Sequence, residues 1–362
     1  MAASFLILVG GYTSVITSLR FTPSTSSLTY LTQSNVGVQS PSWLTTHPSN
    51  SSIVYATREA WGTTGAIYSL LLNPTTGSLT SKASISTGTS VSNGGTVYVE
   101  VLSDGTTLAA SNYNAGSAFL VSLGSDKLSF SGSGQTLQFS GSGPLPNQLS
   151  AHAHQSVGYN NEVLVADLGS DKVRRLTKSG TTWSESGSIS FPAGSGPRHI
   201  VPLNNTLYTL HQNYNVLTQN TLPSLSSGTA SQLVANISII PPGTTPTSNM
   251  QAAELLYAPS TSGSSSSPLL YATNRNDPTN SDAIAVFETT PSLKAVAYVR
   301  TGLQHVRGMA FVGPNKEYVI VGGMNGGGIK IYKRVAASSG YLTQVASFPA
   351  GQIQQPTGFT WI

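Results

Sequence analysis

One short pattern recurs seven times along the chain and constrains its fold more than any other feature. Each copy is an apolar, β-rich pair followed by small or polar residues and a turn. The equivalent anchor positions are Leu8, Tyr55, Ala109, Val165, Tyr208, Tyr271 and Ile320. Their spacing ranges from 43 to 63 residues with a mean of 52, and wrapping from the last anchor through residue 362 to the first gives 50. Seven units of this length use the whole chain.

Each unit is long enough for four short strands with tight turns, and no long stretch shows helical periodicity. Four-stranded units repeated radially predict an all-β, seven-bladed β-propeller that forms a single domain over residues 1–362. We expect the N-terminal strand to pair with a strand near Phe359-Thr360-Trp361-Ile362, which closes the ring and leaves few free edges. The widest interval contains a serine-rich segment, residues 260–267, which we interpret as a loop insertion.

A second motif precedes six of the anchors by 10 to 17 residues. Its copies are Pro41-Ser42-Trp43, Asn93-Gly94-Gly95-Thr96, His152-Ala153-His154, Pro197-Arg198-His199, Ala253-Glu254 and Val306-Arg307-Gly308. In a meandering blade this motif marks the start of the innermost strand, and the anchor lies on the second strand, which runs back. The start of one strand and the end of the other therefore lie on the same face of the propeller, around the central channel.

We expect the side chains of these strand ends to converge in a funnel. It collects His152, His154, Arg198, Glu254 and Arg307 from strand starts, and Tyr12, Glu59, Tyr113, Gln212 and Arg275 from strand ends. A rigid scaffold whose loops meet at one funnel is the usual place for a binding or catalytic site.

The charge pattern argues against a nucleic-acid partner. The chain has 17 Lys and Arg against 13 Asp and Glu, a net charge of +4, and its bases are scattered apart from Lys172-Val173-Arg174-Arg175. Such a chain has no basic stripe that would follow a phosphate backbone. The sequence contains no run of about 18 apolar residues, the length that a transmembrane helix needs, so we expect no membrane partner either.

Low charge and hydroxyl-rich loops predict a secreted glycoprotein, with a cytoplasmic location as the alternative. Glycan acceptor sequons begin at Asn50, Asn204 and Asn236. The first ten residues lack the basic leading region of a signal peptide, so we interpret them as a strand, with Met1 left after removal of a natural leader. The chain has no cysteine and therefore no disulfide framework.

Several short phrases occur in a fixed order along the chain. They are Ser111-Asn112-Tyr113-Asn114-Ala115-Gly116-Ser117, Ala151-His152-Ala153-His154, Val165-Ala166-Asp167-Leu168-Gly169-Ser170-Asp171-Lys172-Val173, Gly196-Pro197-Arg198-His199, Glu254 and Ala272-Thr273-Asn274-Arg275. In these phrases the chain resembles, from residue 5 to its C-terminus, the lactonase family of seven-bladed propellers, which includes bacterial 6-phosphogluconolactonase and fungal carboxy-cis,cis-muconate cyclase. The resemblance implies a fungal-type enzyme, without metal or cofactor, that opens or closes a lactone ring on a small carboxylate.

The resemblance also implies roles for individual residues. The muconate cyclase branch carries a histidine, two arginines and a glutamate in its funnel. The histidine falls on His154 or His152, and the arginines fall on Arg198 and Arg275. The place of the glutamate is taken by Gln212, and an amide cannot exchange a proton as a carboxylic acid does. A carboxylate from Glu59 or Glu254 would come from a different blade.

Lactone chemistry needs an anchor for carboxylate, an acid or base, and stabilisation of a developing oxyanion. Arg198 and Arg275 suit the first task, because a guanidinium binds carboxylate through two hydrogen bonds. Histidine suits the second because its pKa is about 6.5, so His154 is the candidate acid/base. Gln212 can hold a water or donate a hydrogen bond to an oxyanion. Further candidate substrate contacts are His152, Glu59, Tyr113, Glu254 and Arg307.

The same residues also have a structural interpretation, because propeller strand starts often carry His or Arg that only link neighbouring blades through backbone carbonyls. The two interpretations are balanced for His152, and the structural one is favoured for His199 and Arg307. Function is favoured for Arg198 and Arg275, because a buried unpaired charge is costly. Asp167 and Asp171-Lys172 are expected to form turns and local ion pairs.

Two further functions use the same funnel. In a uronic-acid lyase, the histidine removes a proton, an arginine binds the uronate, and tyrosine or tryptophan lines an elongated groove. In a secreted binding protein with a decayed site, we expect the arginine side chains to point away from the funnel and contact neighbouring blades, or aromatic residues to fill the funnel. A phosphorylated sugar is disfavoured because few lysines are placed to hold phosphate. His-x-His lacks a third metal ligand, and no Gly-x-Ser-x-Gly motif is present.

Overall fold

The computed structural model of the chain describes residues 4–90, 94–260 and 267–362. The interpretation of Met1 as a remnant, the Asn93 position of the second motif and residues 261–266 of the serine-rich insertion lie outside the described residues. The described part forms 28 strands joined by short turns. Five 3₁₀ helices of three residues each lie in the connections: Pro23–Thr25, Pro146–Gln148, Leu168–Ser170, Leu225–Ser227 and Ala337–Ser339.

The strands are short and follow one another along the whole described chain. They are β1 (Phe5–Gly11), β2 (Ile16–Thr22), β3 (Ser27–Ser34), β4 (Leu44–His47), β5 (Asn50–Arg58), β6 (Ala66–Leu72), β7 (Leu79–Ser86), β8 (Thr96–Val101), β9 (Thr107–Asn112), β10 (Ser117–Leu123), β11 (Phe130–Gln138), β12 (Ala153–Tyr159), β13 (Glu162–Asp167), β14 (Lys172–Ser179), β15 (Thr182–Ser190), β16 (Pro197–Leu203), β17 (Thr206–His211), β18 (Val216–Thr221), β19 (Leu233–Ser238), β20 (Gln251–Ala258), β21 (Leu269–Arg275), β22 (Ala283–Glu288), β23 (Lys294–Arg300), β24 (Gln304–Val312), β25 (Tyr318–Gly326), β26 (Ile329–Arg334), β27 (Leu342–Phe348) and β28 (Pro356–Trp361).

The strands form seven four-stranded sheets, the blades of a propeller. Blades 2 to 7 follow chain order from β4–β7 to β24–β27, and blade 1 has the order β28-β1-β2-β3. The innermost strands contact one another in a closed ring: β28, β4, β8, β12, β16, β20, β24 and again β28. Antiparallel pairing of Ile7 with Trp361 and of Val9 with Phe359 closes blade 1. The seven-bladed fold and the pairing of the two chain ends, both predicted, are confirmed.

Each anchor of the sequence repeat lies on the second strand of its blade, where both sheet faces are covered by neighbouring blades. On β1, for example, Leu6 to Gly11 are all buried, whereas on the outermost strand β7 only Leu79 is buried and the other residues are exposed or half-buried. The buried side chains form seven apolar clusters in the described part of the chain, one between each pair of adjacent blades. These seams carry the hydrophobic stabilisation and leave the channel walls free for polar side chains.

The three predicted glycan acceptors lie at the surface of the propeller. Asn50, Asn204 and Asn236 are all exposed, so their side chains are reachable, and glycosylation and secretion stay predictions. Over the described ranges, no helix is long and apolar enough to cross a membrane.

Candidate active site in the funnel

Irregular strand starts shape the funnel. The pairing register shifts between Ala153 and Gln155 in blade 4, and between Pro197 and His199 in blade 5. Similar shifts occur at the starts of β20 and β24. Successive side chains of a regular strand point to opposite faces, and an extra residue at a bulge re-aims its side chain. The residues inside these four irregularities are His154, Arg198, Ala253 with Glu254, and His305 with Arg307.

Aromatic rings from blades 3, 4 and 5 form one wall of the funnel. The Tyr113 ring stacks on His152 with centroids 4.5 Å apart and meets His154 edge-on at 5.8 Å. The His154 ring lies 5.1 Å from the ring of His199. His152 also contacts the backbone carbonyl of Tyr113 through Nδ1 at 2.9 Å, which is the blade-linking contact of its structural interpretation.

His199 is held by a carboxylate from the next blade. Its Nδ1 lies 2.6 Å from Oε1 of Glu254, and both side chains are fully buried. This contact joins blades 5 and 6 through side chains rather than through a backbone carbonyl. Glu254, expected as a substrate contact, therefore lies against His199. His154 retains 5% exposure and His199 none, so the His154 imidazole is the more accessible of the two.

The opposite wall carries an ion pair across the closure of the ring. Arg307 of blade 7 contacts Oε1 of Glu59 of blade 2 at 3.0 Å. The Tyr12 hydroxyl of blade 1 donates to the same oxygen at 2.7 Å, and the Arg307 guanidinium lies 5.2 Å from the Tyr12 ring centre. The carboxylate of Glu59 therefore compensates the charge of Arg307, and the Tyr12 ring adds a cation–π contact.

Arg198 and Arg275 are buried with less compensation. Arg275 donates from Nη2 to Oε1 of Gln212 at 2.6 Å, and Arg198 donates from Nη1 to the backbone carbonyl of Ala253 in blade 6. The Nε atoms of both arginines are buried without a hydrogen-bond partner in the described residues. The Arg198 contact is of the blade-linking kind, whereas Arg275 reaches only a neutral amide.

The pKa shifts of the three arginines follow from these partners. Burial lowers the pKa of Arg198 to about 10, with a further decrease from Arg307 that Glu254 opposes. Burial, then the charges of Arg198 and Arg307, hold the pKa of Arg275 well below its ordinary value. Burial also lowers the pKa of Arg307, but Glu59 and then Tyr12 outweigh it and leave the pKa raised. Arg275 is thus the least compensated cation of the three.

The funnel therefore holds an excess of positive charge. Three guanidinium groups face the two carboxylates of Glu59 and Glu254. Burial, Arg198, His199, Arg307 and Arg275, in that order, hold the pKa of His154 well below 6.5. The pKa of His199 is lowered by burial despite Glu254. Both imidazoles are neutral at neutral pH, and a buried site with one uncompensated positive charge favours an anionic ligand.

The structure adds funnel residues that were not among the predicted site residues. Trp43 packs against Tyr98 with ring centroids 4.6 Å apart, and the two rings lie 5.7 and 6.2 Å from that of His199. They form the floor of the funnel. Trp43 is the last residue of the first copy of the strand-start motif, so the motif could have indicated it. Tyr98 lies two residues beyond the third-blade copy, and the motif does not indicate it. His305 lies beside Arg307, and burial lowers its pKa to about 4.

The segment that carries the funnel histidines is anchored by a buried carboxylate. Asp167 accepts hydrogen bonds from the backbone N–H groups of His152 and Ser170 and pairs with Arg174 at 2.8 Å. Arg174 also contacts Glu185 at 3.0 Å, but Glu185 is 35% exposed whereas Asp167 is fully buried. The predicted turn and ion pair at Asp167 are confirmed.

Replacement of Asp167 by Ala is expected to lower the free energy of unfolding by about 3–5 kcal/mol, because Arg174 keeps only the exposed Glu185 as an ionic partner and two backbone N–H groups are left buried and unpaired. Glu185→Ala removes the exposed partner of the same arginine and should cost no more than about 1 kcal/mol. Urea unfolding of both variants measures the difference. Equal losses in the two variants would contradict the assignment of Asp167 as the anchor.

Within the described ranges, no group of three or more His, Cys, Asp or Glu side chains lies close enough to hold a metal ion. The funnel contains three arginines, two carboxylates, the Gln212 amide and four imidazoles, those of His152, His154, His199 and His305.

Comparison with known proteins gives one family match and several structural ones. The family model described as "Lactonase, 7-bladed beta-propeller" matches residues 6–357. A periplasmic gluconolactonase of Pseudomonas aeruginosa is 20% identical, with a TM-score of 0.83 and 99% of each chain covered. A Bacteroides uniformis protein inferred to be a 6-phosphogluconolactonase is 22% identical, with a TM-score of 0.81 and 99% of each chain covered. At these identities the likeness shows the fold. A search of curated proteins finds no match.

Proposed function

The chain belongs to the lactonase family of seven-bladed β-propellers, and on that premise we propose that it hydrolyses a small lactone that carries a carboxylate. Family membership supports lactone hydrolysis in general. The two gluconolactonase-type neighbours named above act, by their descriptions, on sugar lactones. The carboxylate on the substrate is our own inference from the funnel.

The charge of the funnel carries this inference. Arg198 and Arg275 have buried guanidinium nitrogens that no group in the described residues accepts from, and Arg275 faces only a neutral amide. A substrate carboxylate would accept from these N–H groups and restore charge neutrality, which makes binding favourable in a desolvated site.

In the reaction we propose, His154 is the acid/base. Its neutral imidazole takes a proton from a water molecule as the water oxygen bonds to the lactone carbonyl carbon. The carbonyl oxygen becomes an oxyanion, which the nearby guanidinium charge stabilises. When the ring C–O bond breaks, the leaving alkoxide takes the proton from His154, and the product is the open hydroxy acid. His199, fixed by Glu254, lies against His154 and positions it.

Gln212 favours hydrolysis over cycloisomerisation in this scheme. Its Oε1 accepts from Arg275, so its amide orients that guanidinium and exchanges no proton. Glu254 contacts His199 rather than occupying the position of Gln212. Ring opening by water needs one acid/base, which His154 supplies.

A substrate panel tests the proposal directly. Purified protein is given five- and six-membered lactones in matched pairs, each with and without a carboxylate substituent, together with carboxy-muconate and uronic-acid oligosaccharides. Ring opening is followed by pH-stat. We expect hydrolysis, with kcat/KM for the carboxylate-bearing lactones at least tenfold above that for their neutral counterparts.

The other outcomes discriminate among the alternatives. Equal rates on neutral and anionic lactones would refute the carboxylate clamp while leaving lactone hydrolysis intact. Cyclisation of carboxy-muconate without hydrolysis would replace the proposal by an isomerase, and unsaturated uronate products would replace it by a lyase. No turnover of any substrate would favour a binding protein.

A further inference from the structure

The central channel contains a second cavity, beyond the floor of the funnel. Its volume is about 400 Å³, and its walls come from the innermost strands of blades 1, 2, 3 and 7. The lining includes Trp43 and Tyr98, whose other neighbour is His199 of the funnel. Thr45, Phe359 and Trp361 lie further along the same strands. The two aromatic rings therefore lie between this cavity and His199 of the funnel.

Glu100 is the charged residue of this lining. Its Oε2 accepts from the Tyr98 hydroxyl at 2.9 Å, and its Oε1 accepts from the backbone N–H of Gly158 at 2.8 Å. None of the ion pairs in the described part of the chain includes Glu100. The carboxylate thus lies at an aromatic cavity with two neutral donors and no cation.

Burial raises the pKa of Glu100 to about 7, although the Gly158 N–H and the Tyr98 hydroxyl both lower it. The ionised form is therefore poorly compensated by the protein itself. A cation bound beside Glu100 would stabilise its ionised carboxylate. This stabilisation would add to the binding free energy of the cation.

We propose that this second cavity binds a small organic cation, with its ammonium group beside Glu100 and its apolar body against Trp43, Tyr98 and Trp361. The volume suits a molecule of the size of a substituted benzylamine. Aromatic rings attract a cation through their electron-rich faces, and the negative charge of the carboxylate makes the site prefer a cation over a neutral ligand. The proposal is independent of the lactonase chemistry, which takes place on the other side of the floor.

The neighbours of Glu100 make its titration simple to interpret. On its own strand the titratable neighbour is Tyr98, whose pKa is raised by burial and then by Glu100 itself. Blade 4 presents the backbone of Gly158, and the paired residue on β9 is Ala109. The lining contributed by β4, β24 and β28 contains no charged side chain. His199 lies on the other side of Trp43 and Tyr98, and burial lowers its pKa, so a change of affinity near pH 7 would report on Glu100.

Benzyltrimethylammonium is the probe, because its charge does not change with pH, and benzyl alcohol is its neutral counterpart. Calorimetric titration at pH 8 is expected to show the cation binding at least tenfold more tightly than the alcohol. At pH 6 the affinity for the cation should be about tenfold lower than at pH 8, because a carboxyl group with a pKa of about 7 is then about 90% protonated.

Three variants decide the result. Glu100→Gln keeps an acceptor for the Gly158 N–H and should abolish both the preference for the cation and the pH dependence. Thr45→Lys places a tethered ammonium in the cavity and should block binding even if Glu100→Gln fails to fold. Glu185→Gln, at an exposed carboxylate, should bind as the parent does. Absence of binding, equal affinity for the alcohol, or pH-independent affinity would each overturn the proposal, and none of them would bear on lactone hydrolysis.

Discussion

Replacement of Arg275 by Gln is expected to lower kcat/KM for a carboxylate-bearing lactone by about 10²–10³-fold, which corresponds to about 3–4 kcal/mol of transition-state binding. Arg275 is the least compensated of the three funnel arginines, and its buried partner Gln212 is neutral. A charge-assisted hydrogen bond to a desolvated carboxylate is lost in this variant. A neutral lactone of the same ring size should lose less than about tenfold.

The same substitution is expected to leave the protein as stable as the parent or more stable. The Arg275 guanidinium is buried, and Arg198 and Arg307 repel it, so its removal relieves unfavourable charge interactions. An arginine retained only to link blades would behave in the opposite way. Thermal unfolding of the variant, measured beside its kinetics, separates the two roles.

Arg174→Gln is the matched control, because Arg174 is also buried but is paired with Asp167. This variant should lose stability, because the carboxylate of Asp167 is left unpaired. Its ratio of activity on anionic and neutral lactones should stay that of the parent. If Arg275→Gln instead destabilises the fold and preserves that ratio, the anion clamp at Arg275 is refuted.

Replacement of His154 by Ala is expected to lower kcat by about 10²–10⁴-fold, the usual contribution of a general acid/base. KM for a carboxylate-bearing lactone should change little, because the arginines hold the substrate. His47→Asn is the control: His47 lies at the end of β4 and contacts the backbone carbonyl of Gly105 outside the funnel. Steady-state kinetics of both variants with the best lactone of the panel measure the difference.

The pH profile tests the same residue in another way. Because burial and the arginines depress the pKa of His154, its imidazole stays neutral and able to accept a proton below pH 6.5. kcat/KM should therefore be flat through pH 6–7 and fall only in more acidic solution. An ordinary histidine with a pKa of about 6.5 would already cost about half of the activity at pH 6.5 and about three quarters at pH 6.

Arg198→Gln provides the internal check on this assignment. After burial, Arg198 is the largest cause of the low pKa of His154. Its replacement should move the His154 titration, followed by the imidazole NMR signal, towards higher pH. An acid limb near pH 6.5 in the parent, or an unchanged titration in Arg198→Gln, would show that another group serves as the base.

The site could be predicted in part from the sequence because strand starts and strand ends are visible as repeat positions. The expectation that Tyr12, Glu59 and Arg307 share one face rests on that register, and the structure brings them into contact. The pairing of His199 with Glu254 was not predicted. The contact between these two residues depends on irregular strand starts in blades 5 and 6, and no residue type at those positions predicts such an irregularity.

The roles of individual arginines were also beyond sequence reasoning. Arg198 and Arg307 occupy the same motif position in two blades, yet one donates to the Ala253 carbonyl and the other pairs with Glu59. The partner of Arg198 comes from the adjacent blade 6, whereas that of Arg307 comes from across the channel. A blade two steps away supplies Glu59, and the sequence separation between it and Arg307 is 248 residues.

The number of blades, the pairing of the chain ends and the face on which polar residues gather could all be predicted from the order of the amino acids. Those properties follow from the period of the repeat and from the alternation of side chains along each strand. Both are local patterns, and the seven copies of the repeat reinforce each other. Which charges are compensated, which histidine is accessible and where Trp43 and Tyr98 lie became evident in the folded chain alone. Those properties depend on side chains from different blades that meet in a low-dielectric interior, where a contact of a few ångströms sets both pKa and partner.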